Sequence, residues 1–289
     1  MATFLDSVRA QRKVLPIIPT SFEGETIIIT GANTGLGLEA ARHCVRLGAS
    51  KVILAVRSLA RGETAKASIE ASTNITGVAE VWHCDLASYD SVKEFAKRAS
   101  SDLKRIDRVI ENAGLAFDQW TTAEGSETTI TVNVLGTFLL AMLLLPKLRE
   151  TGQMTGTKPT LTILTSDLHA QAKFEESKAD DIFAELEVKN QSAMIDRYNV
   201  SKILEVYTVR ALAERLPLSQ SNVIINTLNP GLCNTDLIRN LGWFFSTIIK
   251  IFRLLLARTA EEGSRTLLHA AVAGEESHGS YLSDCEIKE

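Results

Sequence analysis

Cysteine pairs are missing from this chain. Cys44, Cys84, Cys233 and Cys285 lie far apart, no Cys-x-x-Cys occurs, and no histidine stands at ligand spacing from them. This excludes a zinc site and a disulfide framework, and leaves scattered thiols of a reducing compartment. Dense runs of Lys or Arg are also absent, and a net charge of −4 gives nucleic acid no electrostatic foothold. Long uncharged apolar runs are lacking too. Val134 to Leu145 is very apolar but falls short of the roughly 20 residues a spanning helix needs, so it reads as a buried helix. The first 21 residues mix Asp6, Arg9, Arg12 and Lys13 with Pro16 and Pro19, unlike a secretion signal. Repeats, low-complexity stretches and linkers are missing as well. The expectation is a cytoplasmic protein with one domain over 1–289, residues 1–23 forming an N-terminal extension.

What is present is alternation. The β-branched run Thr26-Ile-Ile-Ile-Thr30 predicts a buried strand, followed by a helix from about Leu36 to Leu47. Further strands are predicted at 51–56, 79–83, around 108–110, 160–165 and 222–228. Helices are predicted at 59–71, 89–100, 128–148 and 192–215. Alternating β and α elements predict an α/β fold. It is a single Rossmann-type, doubly wound parallel sheet of about seven strands, flanked by helices on both faces. The charged stretch Lys173 to Asn190 reads as a surface insertion.

The first strand runs into Thr30-Gly-Ala-Asn-Thr-Gly-Leu-Gly37. Gly31, Gly35 and Gly37 let the backbone turn tightly and approach a pyrophosphate at the new helix N-terminus. Asn33, Thr34 and Leu36 line the same loop. About 20 residues on, an NAD site places a carboxylate on the ribose 2′-hydroxyl. Here Arg57 and Ser58 stand instead, and a guanidinium pairs with phosphate, which favours NADP(H). Asp85 and Leu86 end the third strand, where a carboxylate can accept from the adenine amino group or cap the next helix. Asn112, Ala113 and Gly114 end the fourth, small enough to let cofactor and backbone lie close.

Tyr198 and Lys202 are four residues apart, on one helix face. A neighbouring ammonium and an oxidised nicotinamide both favour the phenolate and together predict a lowered phenol pKa. Ser166, at a strand end, can polarise a substrate oxygen or serve as a plain cap.

With these motifs in order, the chain resembles the short-chain dehydrogenase/reductase family, in its retinol-dehydrogenase-like and filamentous-fungal biosynthetic branch. The closer match lies in Val52-Ile-Leu-Ala-Val-Arg57 and Tyr281-Leu-Ser-Asp-Cys285. The resemblance implies that Tyr198 is the general acid/base and that Lys202 holds the nicotinamide ribose. It implies that Ser166 orients the carbonyl and that Asn133 supports a proton relay through water. Pro230, Gly231 and Thr235 would line the nicotinamide pocket, and about 235–258 would form a substrate lid. Three departures stand out. Glu111 replaces a common Asn, Thr34 is not basic, and Ser166 and Tyr198 are 32 residues apart, which implies an enlarged substrate-side loop.

The function these features predict is an NADP(H)-dependent oxidoreductase acting on a lipophilic carbonyl/alcohol pair, with reduction favoured, in secondary metabolism. A non-catalytic nucleotide-binding sensor of the same fold and a Rossmann-type methyltransferase are the competing readings. The run Trp243 to Leu256 carries Lys250 and Arg253 on one face. It reads as a lid or subunit contact, with a peripheral membrane helix as the alternative. A homo-oligomer built through the helices at 134–148 and 192–215 is the further expected partner.

Overall fold

The computed structural model describes residues 11–235 and 256–288. The expected lid and the apolar run from Trp243 therefore fall, except at their ends, outside the described residues.

Thr26–Thr30 (β1) is buried on both faces, Ile27 and Ile29 toward one helical layer and Ile28 toward the other. A strand so enclosed belongs at the centre of a parallel sheet. Around it are Lys51–Val56 (β2), Ala79–His83 (β3), Arg108–Glu111 (β4), Thr160–Leu164 (β7), Ile224–Asn229 (β8) and Tyr281–Ser283 (β9), all parallel. A two-strand hairpin, Thr122–Ala123 (β5) and Ser126–Glu127 (β6), stands apart.

A last strand, Glu286–Lys288 (β10), pairs antiparallel with β9. The main sheet thus has eight strands, one more than expected, in the order β10-β9-β8-β7-β4-β1-β2-β3. Asp284 and Cys285 join β9 to β10 with φ of 55° and 59°, the left-handed pair of a type I′ turn. Asp-Cys is not the usual sequence for that turn, so the hairpin was not legible beforehand.

One face carries Gly35–Arg46 (α1), Leu59–Thr73 (α2) and Ala260–Val272 (α7). The other carries Tyr89–Asp102 (α3), Thr128–Thr155 (α4) and Met194–Arg215 (α6). Strand order reverses beside β1, whose neighbours are β2 and β4. The connections leaving β1 and β4 run to helices on opposite faces of the sheet, which leaves a crevice at their carboxyl ends.

By length and composition α4 passes for a membrane span, but 72% of its apolar window is buried inside the protein. Leu140, Ala141, Leu144, Leu145 and Leu148 pack against the sheet, as expected for 134–145. The helix runs on to Thr155, and it has a π-helical turn at Thr131–Gly136 that periodicity did not predict. A side chain at Gly136 would run into the Leu86 carbonyl, so the helix passes close to the end of β3.

The stretch 173–190 is more than a surface insertion. Phe174 and Leu186, the latter ending the short helix Ile182–Leu186 (α5), pack with Ile130, Val134, Val200 and Leu204 in a satellite core. Glu176 pins it, 3.2 Å from the buried guanidinium of Arg197, which also has Glu127 4.0 Å away. Within the N-terminal extension, Leu15, Ile18 and Phe22 are buried, and the Leu15 carbonyl accepts from Arg265 at 2.7 Å.

Candidate functional site

The glycine loop leaves β1 with φ of +66° at Gly31 and +57° at Gly35, conformations that side chains resist. At Gly37 the limit is space. An added Cβ would lie 2.5 Å from Asn112 Nδ2 and 2.8 Å from the Gly31 carbonyl. That same Asn112 amide donates to the Thr30 carbonyl at 2.8 Å, and the Ala113 N–H donates to Thr30 Oγ1 at 2.9 Å. Asn112 and Ala113 thus tie β4 to β1 and form the floor of the cradle. No acid sits in the first turn of α1, so its positive end faces the crevice unopposed by a local carboxylate. A phosphate-bearing group fits this loop.

Thr235 lies across the loop, its Cγ2 3.3 Å from where a Gly35 Cβ would stand. Gly231 has φ +74°, and the Pro230 carbonyl accepts from Arg258 Nη1 at 3.1 Å. Arg57 is exposed at the end of β2. Ser58 is the N-cap of α2, accepting from the Arg61 N–H at 3.5 Å. Arg61, which the motif pattern did not single out, donates Nε and Nη2 to the Asn33 side-chain oxygen at 3.3 Å each once that amide is correctly oriented. Its signal was its place one turn beyond Arg57. The Asp85 carboxylate accepts from the Ala87 N–H at 3.0 Å, but Ser88, not Asp85, caps α3. Leu86 is buried beneath it.

Asn133 sits in the π-turn, fully buried. Its Oδ1 accepts from the Leu115 N–H, and its Nδ2 donates to the Leu115 carbonyl and to Ser201 Oγ, all at 2.9 Å. Ser201 in turn donates to the Tyr198 carbonyl at 2.7 Å. Asn133 therefore fixes the β4 loop against the turn of α6 that carries Tyr198. Gly114 faces the same cluster, since an added Cβ would come 3.3 Å from Asn133 Oδ1 and 3.7 Å from Lys202 Nζ.

Ser166, Tyr198 and Lys202 come together at the carboxyl edge beside the crevice. The Ser166 side chain lies near enough to the Tyr198 phenol to favour its ionised form, while its hydroxyl donates to Asp167 Oδ1 at 3.3 Å. It also caps the following 3₁₀ turn, accepting from the Leu168 N–H at 3.2 Å, so the functional and the capping roles coexist. Lys202 Nζ is 5.5 Å from the Tyr198 ring centroid and donates to the Leu164 carbonyl at 2.9 Å. It also donates to Glu205 Oε1 at 2.8 Å, a partner that the spacing of motifs did not reveal.

In the dinucleotide-free protein Lys202 alone does not lower the phenol pKa. Burial pushes it up, Lys202 and Ser166 pull it down, and Glu205 and Asp167 add to the rise, leaving it above the usual value. Desolvation is the largest influence and outweighs the pull of Lys202, and the Glu205 carboxylate beside that cation adds to the rise. Burial is the largest influence on Lys202 and would lower its pKa, but Glu205 and the Tyr198 phenol together outweigh it and hold the ammonium charged.

A family model for the short chain dehydrogenases matches residues 25–157. A short chain dehydrogenase/reductase of Cryptosporiopsis, dmxR8, is 51% identical over 280 residues, covering 95% of this chain and 86% of that one. The short chain dehydrogenase atnD of Emericella nidulans is 48% identical, with 95% and 88% covered. Among solved structures, a 3-ketoacyl-(acyl-carrier-protein) reductase of Brucella melitensis complexed with NADH superposes with a TM-score of 0.66. It is 21% identical, with 91% of this chain and 97% of that one covered. A short-chain dehydrogenase of Sphingobium yanoikuyae in complex with NADPH gives 0.64 at 21% identity, covering 84% and 82%. These distant structures share the fold, and the identity to the fungal proteins over nearly the whole length carries the conclusion that the chain belongs to the short-chain dehydrogenase/reductase family of oxidoreductases.

Proposed function

We propose that this protein is an NADPH-dependent carbonyl reductase. The observation that carries the reading is the meeting of Ser166, Tyr198 and Lys202 beside a glycine cradle with no carboxylate at the end of β2. Gly31, Asn33, Thr34, Gly35, Leu36 and Gly37 would hold the pyrophosphate, and Arg57 and Ser58, with Arg61, the 2′-phosphate. Asp85 and Leu86 would meet the adenine. Asn112, Ala113, Gly114, Pro230, Gly231 and Thr235 would flank the nicotinamide ribose and ring, with Lys202 on the ribose hydroxyls. The bound dinucleotide supplies the hydride.

The Ser166 hydroxyl donates to the substrate carbonyl oxygen and orients it. Tyr198 gives its phenolic proton to that oxygen. Its raised pKa keeps the phenol neutral near pH 7, which is the protonation state that donation requires. Asn133 holds the Tyr198 turn and offers its remaining oxygen lone pair to a water that returns the proton.

Membership of an oxidoreductase family removes the methyltransferase reading. The intact Ser166, Tyr198 and Lys202 weigh against a sensor without turnover. A place in secondary metabolism rests on the resemblance to filamentous-fungal proteins, and a lipophilic substrate on the apolar sequence after Thr235. A homo-oligomer is supported by exposed apolar side chains on the two expected helices, Met142 and Leu143 of α4 and Ile195 and Tyr207 of α6. The test is a panel of aldehydes, ketones and lipophilic alcohols, followed by the absorbance of the reduced nicotinamide. No turnover with any of them would overturn the assignment.

Two consequences concern the cradle. Gly37→Ala drives its methyl into Asn112 and the Gly31 carbonyl, so dinucleotide affinity should fall at least about tenfold by fluorescence titration. Arg57→Asp removes a charged donor and adds repulsion, so the ratio of NADP to NAD affinity should drop about 10- to 100-fold. Equal affinity for NADP and NAD in the unmutated protein would remove Arg57 from the reading.

A further inference from the structure

Lys202 has more to hold it than the proposed mechanism asks. A primary ammonium has three N–H donors. One goes to the Leu164 carbonyl at 2.9 Å and one to Glu205 Oε1 at 2.8 Å, leaving a single donor for a bound ligand. Both side chains are buried, at 4% and 2% exposure, one turn apart on α6. An acid placed there costs desolvation, and burial lifts its pKa to about 7 even against the attraction of Lys202 and the nearby Thr165 hydroxyl. A core position on α6 would be satisfied by Leu or Val, as at Val200 and Val209. The carboxylate has a partner, and that partner belongs to the reacting cluster.

We propose that Glu205 is a positioning residue, its carboxylate holding the Lys202 ammonium against the end of β7 and offsetting that cation's pull on the Tyr198 phenol. The hydroxyl thereby keeps its proton to higher pH. This inference rests on the reading of Tyr198 as the proton donor in reduction. Among the described residues, the charged groups facing the phenol are few. From α6 they are Lys202 and Glu205, and from the turn after β7 there is Asp167, beside the neutral Ser166. The π-turn of α4 contributes only the neutral Asn133, acting through Ser201. Glu205 is thus the carboxylate in direct contact with the cation that the phenol feels.

With Glu205 ionised, Lys202 and Glu205 form a neutral pair, and burial sets the phenol high. With the carboxylate replaced by an amide, the same hydrogen bond persists but the ammonium stands uncompensated. The phenolate is then favoured, and the phenol loses its proton at lower pH.

The test uses the dinucleotide-free full chain, labelled at tyrosine Cζ with carbon-13, the Tyr198 resonance being assigned by its loss in Tyr198→Phe. Titrated from about pH 7 upward, Glu205→Gln is expected to ionise Tyr198 at least about one pH unit below the unmutated protein. Should the amide not be accommodated, Glu205→Ser, with room for a water, is expected to move the phenol the same way. Glu205→Asp, which retains the charge, is expected to move it less. With a carbonyl substrate in hand, the alkaline limb of kcat/KM should move by the same amount. A folded Glu205→Gln protein whose Tyr198 titrates where the unmutated one does would overturn the inference, whatever its turnover. If the phenol moves but no carbonyl compound is reduced by the unmutated protein, the pairing stands and the proposed function is what fails.

Discussion

Tyr198→Phe is expected to lower carbonyl reduction about a thousandfold while changing NADPH affinity less than about twofold. The substitution removes one oxygen and keeps the ring, so the packing of α6 against the π-turn survives. Asn133 and Ser201 hold that turn through the Tyr198 backbone carbonyl, which the mutation does not touch. Lys202 keeps its bonds to Leu164 and Glu205. What disappears is the proton donor. Without it the substrate oxygen must take its proton from water, without the positioning that the phenol supplies. Steady-state rates from nicotinamide absorbance, set beside a binding titration, separate the two effects. Undiminished biological activity in Tyr198→Phe would instead favour the sensor reading. A matched loss of affinity would mean that the phenol supports the cleft rather than the chemistry.

Glu111→Gln is expected to stabilise the protein at alkaline pH. Glu111 ends β4 with its side chain wholly buried, and burial pushes its carboxyl up to about 8, with only the Thr30 hydroxyl opposing. The folded protein therefore binds a proton here that the unfolded chain, with an ordinary carboxyl, releases near pH 4.5. Between those two values the native state holds more protons, so this group's contribution turns against folding as pH rises and is fully unfavourable above about 8. At roughly 1.4 kcal/mol for each pH unit between the two values, the penalty reaches about 4 kcal/mol by pH 8. The amide keeps the shape and cannot ionise. Below about pH 5 the two proteins should differ by a fixed amount, and above it the variant should gain steadily, on the order of 10 °C by pH 8. A melting difference that does not change with pH would sink this account. In the sequence, Glu111 stood out only as a departure from the family's usual Asn, with no consequence for the cofactor contact of Asn112. Its effect is on folding.

Much of the architecture was legible because it rests on local pattern. Three consecutive isoleucines before a glycine loop leave few options besides a central strand feeding a helix, and the alternation of such units implies a parallel sheet with a crevice at the switch point. The grouping of Ser166 with Tyr198 and Lys202 also follows from chain order, because residues at strand and helix ends of this topology converge on one edge. The C-terminal hairpin was not legible, since it depends on left-handed backbone at Asp284 and Cys285 that their identities do not announce. Nor was the π-turn at Thr131–Gly136, an extra residue in a helix whose apolar pattern runs on unbroken. The stretch 173–190 looked solvated from its charge, but Arg197, buried between Glu127 and Glu176, draws it into a small core.

Family, sheet and the residues that meet at its edge could all be read from the order of amino acids, because spacing and period act over neighbours that the chain already joins. The protonation of the site could not. Whether Tyr198 rests as phenol or phenolate, and whether Glu111 carries charge, depends on how much water each group has lost and which charges face it across the fold. Burial and opposing charge are properties of three-dimensional packing, and no spacing along the chain encodes them directly.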